Sequence, residues 1–89
     1  MREACLEVTY RHGRPIAGYY YLPRRPRQRS YRCREMGPGL IVDFTRSGKP
    51  IGIEIVDPTL VTVAAINRVL RQLKQPTLTR RDLVPLKAA

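Results

Sequence analysis

Residues 41–55, IVDFTRSGKPIGIEI, decide the fold. Two apolar runs flank the polar segment TRSGKP, and apolar residues alternate with other residues along both runs. A period of two is typical of β-strands, and a segment rich in Ser, Gly and Pro between two strands is typical of a turn. The stretch therefore predicts a β-hairpin.

A turn centred on residues 47–48 fixes the register of this hairpin. In that register Asp43 lies opposite Gly52 and Glu54 lies opposite Ile41. The two carboxylates are then diagonal neighbours on one face, about 7 Å apart at the backbone. The apolar residues share the other face, which we expect to be the core, in the pairs Leu40–Ile55, Val42–Ile53 and Phe44–Ile51.

Three further strands precede the hairpin. CLEVTYR alternates along its length, HGRP supplies a turn, and IAGYYYLP continues as a strand until Pro23. The arginine-rich run RRPRQRSYRCR follows, and we expect it to form a loop and then a third strand. We expect strands over about residues 5–11, 16–22, 29–35, 40–45 and 51–56.

After the hairpin the period of the apolar residues becomes helical. Val63 and Ile66 begin a stripe that predicts a helix over about residues 62–74. Thr62 is suited to be its N-cap, and Pro76 is expected to end it because the residue before a proline avoids the helical region.

The remaining segment completes the predicted architecture. TRRD at residues 79–82 resembles a capping box and predicts a short helical turn over about 79–84. The 89 residues, 43% of them hydrophobic, suffice for one modest core, so we expect a single domain over residues 1–89. The predicted fold class is α+β, an antiparallel β-meander of about five strands covered by one C-terminal α-helix.

The charge is strongly positive. Seventeen basic residues against seven acidic ones give a net charge of +10, and 14 of the basic residues are arginine. Such an excess favours polyanionic partners, nucleic acid first, although a GC-rich genome would also supply many arginines. No apolar run approaches the roughly 18 residues of a membrane span, and MREACLEV lacks a signal-peptide core. We therefore expect a cytoplasmic protein without a membrane partner.

The cysteines and the single histidine do not suggest a metal site. Cys5 and Cys33 form no CxxC motif, and His12 lies in a turn-like segment. A structural zinc site needs about four ligands, so we predict no metal and no cofactor, with both thiols free.

Six arginines within eleven residues form the first candidate site. The guanidinium group presents a planar fork that binds phosphate in bidentate fashion, and alternation places two of these arginines on one face of the third strand. The alternative is a solvated basic loop. The candidate nucleic-acid-binding residues of this run are Arg24, Arg25, Arg27, Arg29, Arg32 and Arg34.

Two tyrosines beside this run extend the candidate site. Tyr19 and Tyr21 share one face of the second strand, where aromatic rings next to a basic groove can stack on bases. The alternative is that they are ordinary strand residues with apolar bodies and polar tips.

The carboxylate pair of Asp43 and Glu54 is the one feature of the sequence that suggests catalysis. A carboxylate pair can exchange protons or hold a magnesium ion, which would suit a metal-dependent hydrolase. No histidine lies nearby in the sequence. We therefore expect the acids to balance charge on the outer face, and the protein not to be an enzyme.

The chain also resembles a known family. PGLIVDF followed by GKPIGIEI, VTVAAINRVL and DLVPLKAA is similar to small bacterial proteins called domain of unknown function twenty-two eighty-three, with Asp43, Gly52 and Glu54 in the most recognisable motif. The N-terminal part departs from the family, because Arg11 follows Tyr10 where an aspartate is usual. The resemblance implies a compact β-rich domain without established activity, some members of which look like partners of small toxins of the RelE type.

These observations predict a non-catalytic binding module. The favoured partner is the backbone of RNA or DNA, bound through the arginine-rich segment. The alternative is an antitoxin-like protein partner engaged through an exposed sheet edge. A homo-oligomer is compatible with both.

Overall fold

Five antiparallel strands form one sheet, and helical segments cover one of its faces, in the residues 3–87 that this computed structural model describes. This confirms the predicted α+β class; residues 1–2 and 88–89 of the predicted domain lie outside the described residues. The elements are β1 Cys5–Arg11, β2 Arg14–Tyr21, β3 Arg32–Gly37, β4 Leu40–Phe44, β5 Pro50–Ile55, α1 Val63–Gln72, a 3₁₀ turn Arg81–Leu83 and α2 Val84–Lys87.

The strand order in the sheet is β1-β2-β5-β4-β3. The hairpin β1–β2 and the meander β3–β4–β5 are joined by the antiparallel pairing of β2 with β5. β3 follows β2 in the chain but does not pair with it. The chain runs through residues 22–31 past one end of the sheet and starts β3 at the far edge. Among the described residues, β1 and β3 are therefore the edge strands.

The central hairpin has the predicted register over most of its length. Asp43 lies opposite Gly52, and Leu40, Ile41 and Val42 face their predicted partners. The predicted pairing of Phe44 with Ile51 is wrong, because a bulge shifts the register after Asp43 and places Phe44 opposite Pro50. Ile51 is nevertheless fully buried, while Phe44 packs half-buried against the core.

Two strands begin at residues that differ from the predicted ones. The turn between β1 and β2 has only two residues, His12 and Gly13, both with positive φ as a type I′ turn requires, so β2 begins earlier than expected. β3 begins at Arg32 rather than residue 29, because the preceding residues form a loop.

α1 begins as predicted but ends early. The Thr62 hydroxyl accepts a hydrogen bond from the Ala65 backbone N–H, which confirms the N-cap. The helix ends at Gln72 instead of at about residue 74. Lys74 adopts a positive φ of 58°, and the Gln75 N–H bonds to the Leu70 carbonyl, which is a Schellman C-cap.

The C-terminal helical turn also has its predicted start signal. The Asp82 carboxylate accepts from the Thr79 N–H, and the Thr79 hydroxyl accepts from the Asp82 N–H, which makes a reciprocal capping box. The helical segment continues beyond the predicted residue 84, as α2.

The core lies between the helices and one face of the sheet. β4 and β5 contribute apolar side chains with no exposed surface, and α1 and α2 contribute the opposite side. α1 packs near the end of β3, and α2 packs on β2. Fully buried members of this core include Leu40, Val42, Ile53, Ile55, Ile66, Leu70 and Leu86.

The other face of the sheet, called the outer face here, carries the alternate residues of each strand. One row across it runs Cys5, Tyr21, Gly52, Asp43 and Cys33, from one edge strand to the other. None of the helices within residues 3–87 is long and apolar enough to cross a membrane.

Candidate nucleic-acid interface

Asp43 joins two parts of the chain through hydrogen bonds. Its Oδ2 accepts a hydrogen bond from the Tyr19 hydroxyl at 2.6 Å, and its Oδ1 accepts one from the Ser30 hydroxyl at 3.0 Å. Burial, and next the hydrogen bond to Asp43, raise the pKa of Tyr19 well above its ordinary value, so the phenol stays neutral. Asp43 therefore fixes both a strand tyrosine and the loop that leads into β3.

The two carboxylates of the hairpin are diagonal neighbours, as the register predicts. Tyr19 lies opposite Glu54 in the β2–β5 pairing, and its ring extends over Gly52 toward Asp43. Glu54 is exposed, whereas both oxygens of Asp43 accept hydrogen bonds. Within residues 3–87, no group of three or more His, Cys, Asp or Glu side chains could hold a metal ion.

The structure separates the six candidate arginines. The Arg24 guanidinium lies 5.3 Å from the centroid of the Tyr21 ring, beside the outer face, and Arg25 is exposed in the loop. Arg32 and Arg34 lie opposite Phe44 and Val42, so they share one face of β3, as predicted. This is the helix-covered side of the sheet, at its edge.

The predicted tyrosines both lie on the outer face and pack edge to face, with ring centroids 4.6 Å apart. Tyr19 donates to Asp43, and the Tyr21 hydroxyl donates to Glu7 at 3.3 Å. Neither lines the cleft that receives the remaining arginines.

That cleft lies where the β2–β3 loop meets the β4–β5 turn. It has a volume of about 420 Å³. None of the described residues that line it is acidic. We call it the basic cleft and define it by Arg27, Gln28, Arg29, Ser30, Tyr31 and Arg46.

Tyr31 is the aromatic residue of the basic cleft, and its side chain is 60% exposed. The guanidinium carbon of Arg46 lies 5.6 Å from the centroid of its ring, and that of Arg32 lies 5.9 Å away. Both distances are within the range of a cation–π contact. The Tyr31 backbone N–H donates to the Phe44 carbonyl at 2.8 Å, which holds this residue against the end of β4.

Gln28 connects the loop with the turn. Its Oε1 accepts hydrogen bonds from the Arg25 backbone N–H at 2.9 Å and from Lys49 Nζ at 3.0 Å, and its own N–H donates to the Arg25 carbonyl. The loop segment is therefore tied to a residue 21 positions later in the chain.

Sequence reasoning missed Tyr31, Gln28, Arg46 and Lys49. One available signal was the register of β3 with β4: a short connection through residues 38–39 places the residue before β3 beside the end of β4. The turn residues 46–49 then become its neighbours.

The acidic residues of the five strands all lie on the outer face. Four acids belong to the outer face, whereas the candidate arginines lie in the loop, the cleft and the helix-covered side of β3. The Glu35 carboxylate also accepts from the Gly39 N–H. The four acids are Glu7, Glu35, Asp43 and Glu54.

In comparisons with known proteins, no family model, no curated protein and no solved structure matches this chain. The arrangement of its own residues therefore carries the functional argument.

Proposed function

We propose that the protein is a non-catalytic module of the cytoplasm that binds the backbone of RNA or DNA through the basic cleft. The observation that carries the proposal is the grouping of Arg27, Arg29 and Arg46 around the exposed Tyr31, with no acid among the described residues lining the cleft. Like charges repel, so such a grouping is favourable when an anionic ligand occupies it.

The residue types that line the cleft suit phosphate. Guanidinium groups bind phosphate oxygens in bidentate fashion, and arginines from two chain segments can contact successive phosphates. The link from Lys49 through Gln28 joins these segments before any ligand arrives. Less conformational freedom is then lost on binding.

The placement of the strand acids also supports the proposal. The outer face carries four acids with Arg24 beside it, while three arginines line a cleft without acids. A nucleic acid would approach the cleft end and avoid the outer face.

The hydrogen bonds of Asp43 support a non-catalytic reading. Both oxygens of Asp43 accept from Tyr19 or Ser30, which fits a structural role.

Binding can be measured by fluorescence anisotropy with labelled RNA and DNA over a salt series. We expect log Kd to rise linearly with log salt because counterions are released. The triple variant Arg27→Ala, Arg29→Ala, Arg46→Ala should bind at least tenfold more weakly, with a salt slope smaller by about two to three units.

The matched control removes three positive charges elsewhere. Arg68→Ala, Arg71→Ala, Arg81→Ala changes exposed residues of α1 and the 3₁₀ turn, outside the basic cleft. It should retain most of the affinity. Absence of any complex at low salt, or an equal loss in both triple variants, would reject the cleft as a nucleic-acid site.

A second candidate function rests on the edge strands. Residues 32–35 of β3 are all exposed, and an open strand edge can accept a strand from another protein. An antitoxin-like partner of a small RelE-type toxin would use this mode, in line with the proposed kinship to the family of unknown function named above. Hydrogen exchange tests it: a bound partner should protect the backbone amides of β3 or β1, whereas protection confined to residues 27–31 and 46–49 would favour nucleic acid.

A further inference from the structure

We propose that the ligand of the basic cleft is single-stranded nucleic acid, with one unpaired base stacked on the ring of Tyr31. This inference rests on the proposed function and names the substrate class of the same site.

Tyr31 is the tyrosine best placed to stack. The hydroxyls of Tyr10, Tyr19 and Tyr21 donate to Pro85, Asp43 and Glu7, respectively. Tyr20 is a member of the core. Tyr31 is more than half exposed, and the guanidinium groups of Arg32 and Arg46 lie beside its ring.

The ring is presented from a fixed backbone. The Tyr31 N–H bonds to the Phe44 carbonyl, and the adjacent Ser30 hydroxyl bonds to Asp43. Asp43 is itself held by Tyr19. A rigidly placed aromatic ring loses little conformational freedom when a base stacks on it.

A base can replace one of the two guanidinium contacts. Arg32 and Arg46 lie 5.9 Å and 5.6 Å from the ring centroid, near the outer limit of about 6 Å for such contacts. An exposed cation–π contact is weaker than base–aromatic stacking, so the exchange is favourable. The displaced guanidinium stays beside the cleft, where it can bind the phosphates that flank the stacked base.

A duplex would not use this site. Paired bases are stacked on one another inside the helix and do not present a face to a protein ring. α1 packs near the end of β3 that carries Gly37, where a Cβ would contact Val69 of α1. The helix therefore lies away from the end of β3 that follows Tyr31. A volume of about 420 Å³ is within the range of small-ligand sites, and a duplex would only rest on its rim.

The test uses three labelled ligands of equal phosphate number: single-stranded RNA, a duplex, and an abasic deoxyribose-phosphate oligomer. We expect the wild type to prefer the single strand to the abasic oligomer by about tenfold. Tyr31→Ala should lose that preference while keeping its salt slope, because the phosphate contacts remain. Tyr31→Phe retains the ring and should bind like the wild type.

The outcomes separate the two proposals. If the wild type binds all three ligands with equal affinity, and Tyr31→Ala binds them with the same affinity as the wild type, stacking is refuted while the backbone-binding function stands. If Tyr31→Phe weakens binding as much as Tyr31→Ala, the ring does not act by stacking. If no ligand binds at low salt, the proposed function itself fails. Circular dichroism of each variant confirms that the fold is intact.

Discussion

The Tyr19 hydroxyl donates a hydrogen bond to Asp43 from two strands away, across the strand that lies between them. The donor is on β2, the acceptor is on β4, and their oxygens are 2.6 Å apart. The residue underneath is Gly52 of β5, opposite Asp43. A Cβ built on Gly52 would overlap the Tyr19 ring and hydroxyl, so the glycine of GIEI makes room for this contact.

Gly52→Ala should therefore destabilise the protein. Forcing extra atoms into a packed site costs about 1–3 kcal/mol, and the Tyr19–Asp43 hydrogen bond would be broken as well. Urea denaturation measures the free energy of unfolding. Gly37→Ala is a suitable control, because its Cβ would meet Leu40 and Val69 at 3.4 Å, where side chains can adjust, and its loss should be smaller.

A double-mutant cycle identifies the cause. Tyr19→Ala removes the obstructing ring, so adding Gly52→Ala to that variant should cost much less than it costs the wild type. If the two substitutions are additive, the overlap with Tyr19 does not explain the need for glycine.

The second prediction concerns alkaline pH. Burial first, and then Asp43, raise the pKa of Tyr19 above its ordinary value of 10.0. The unfolded chain therefore loses this proton at lower pH than the native protein does. The stabilisation is fully present below pH 10 and declines as the pH rises from there through the native pKa.

Tyr19→Phe should lower the free energy of unfolding at neutral pH, by about 1 kcal/mol for the lost hydrogen bond. It should also make stability above pH 10 fall less steeply than in the wild type, although the raised pKa values of Tyr20 and Tyr21 leave part of the slope. The measurement is urea denaturation at pH 8 to 11. Identical slopes for the variant and the wild type would contradict the assignment.

The third prediction concerns Asn67, a buried polar residue of α1. Its Nδ2 donates to the Leu78 carbonyl at 2.8 Å, and its Oδ1 accepts from the Leu78 N–H at 2.7 Å. Both backbone groups of Leu78 thus depend on one side chain, which ties the segment after α1 to the helix.

Asn67→Ala should cost about 2–3 kcal/mol, because it leaves two half-buried backbone groups without partners. Asn67→Asp keeps the acceptor, but it buries a carboxylate and places one of its oxygens beside the Leu78 carbonyl oxygen, so it should also be less stable than the wild type. The exposed neighbour Arg68→Ala should change stability by no more than about 0.5 kcal/mol. Thermal unfolding compares the three variants, and equal losses for Asn67→Ala and Arg68→Ala would refute the role of the amide.

Local patterns predicted the elements of this fold, but they did not determine how the elements meet. The alternation in 41–55 fixed most of the hairpin register, and Thr62 marked the start of α1. Strand periodicity does not say at which edge a new strand joins, so the placement of β3 beside β4 instead of β2 could not be read from it. Only the loop and the turn together bring Tyr31 and Arg46 close to each other.

The same limit applies to the outer face. Sequence register correctly made Asp43 and Glu54 diagonal neighbours, but it could not show that Tyr19 reaches Asp43 from another strand. Here the Tyr19 side chain can cross β5 because β5 has Gly52 at that position. The role of this glycine becomes visible only when the pairing of β2, β5 and β4 is known.

The row that runs through Gly52 and Asp43 has a thiol at each end, Cys5 on β1 and Cys33 on β3, both exposed and free. Four strand spacings of about 4.8 Å separate them by about 19 Å, far beyond the reach of a disulfide between two Cα atoms at most about 7 Å apart. An oxidised molecule of this fold cannot close a bond on itself. It carries one exposed thiol on each edge strand of its sheet, so a disulfide of either cysteine requires a second thiol from outside the molecule.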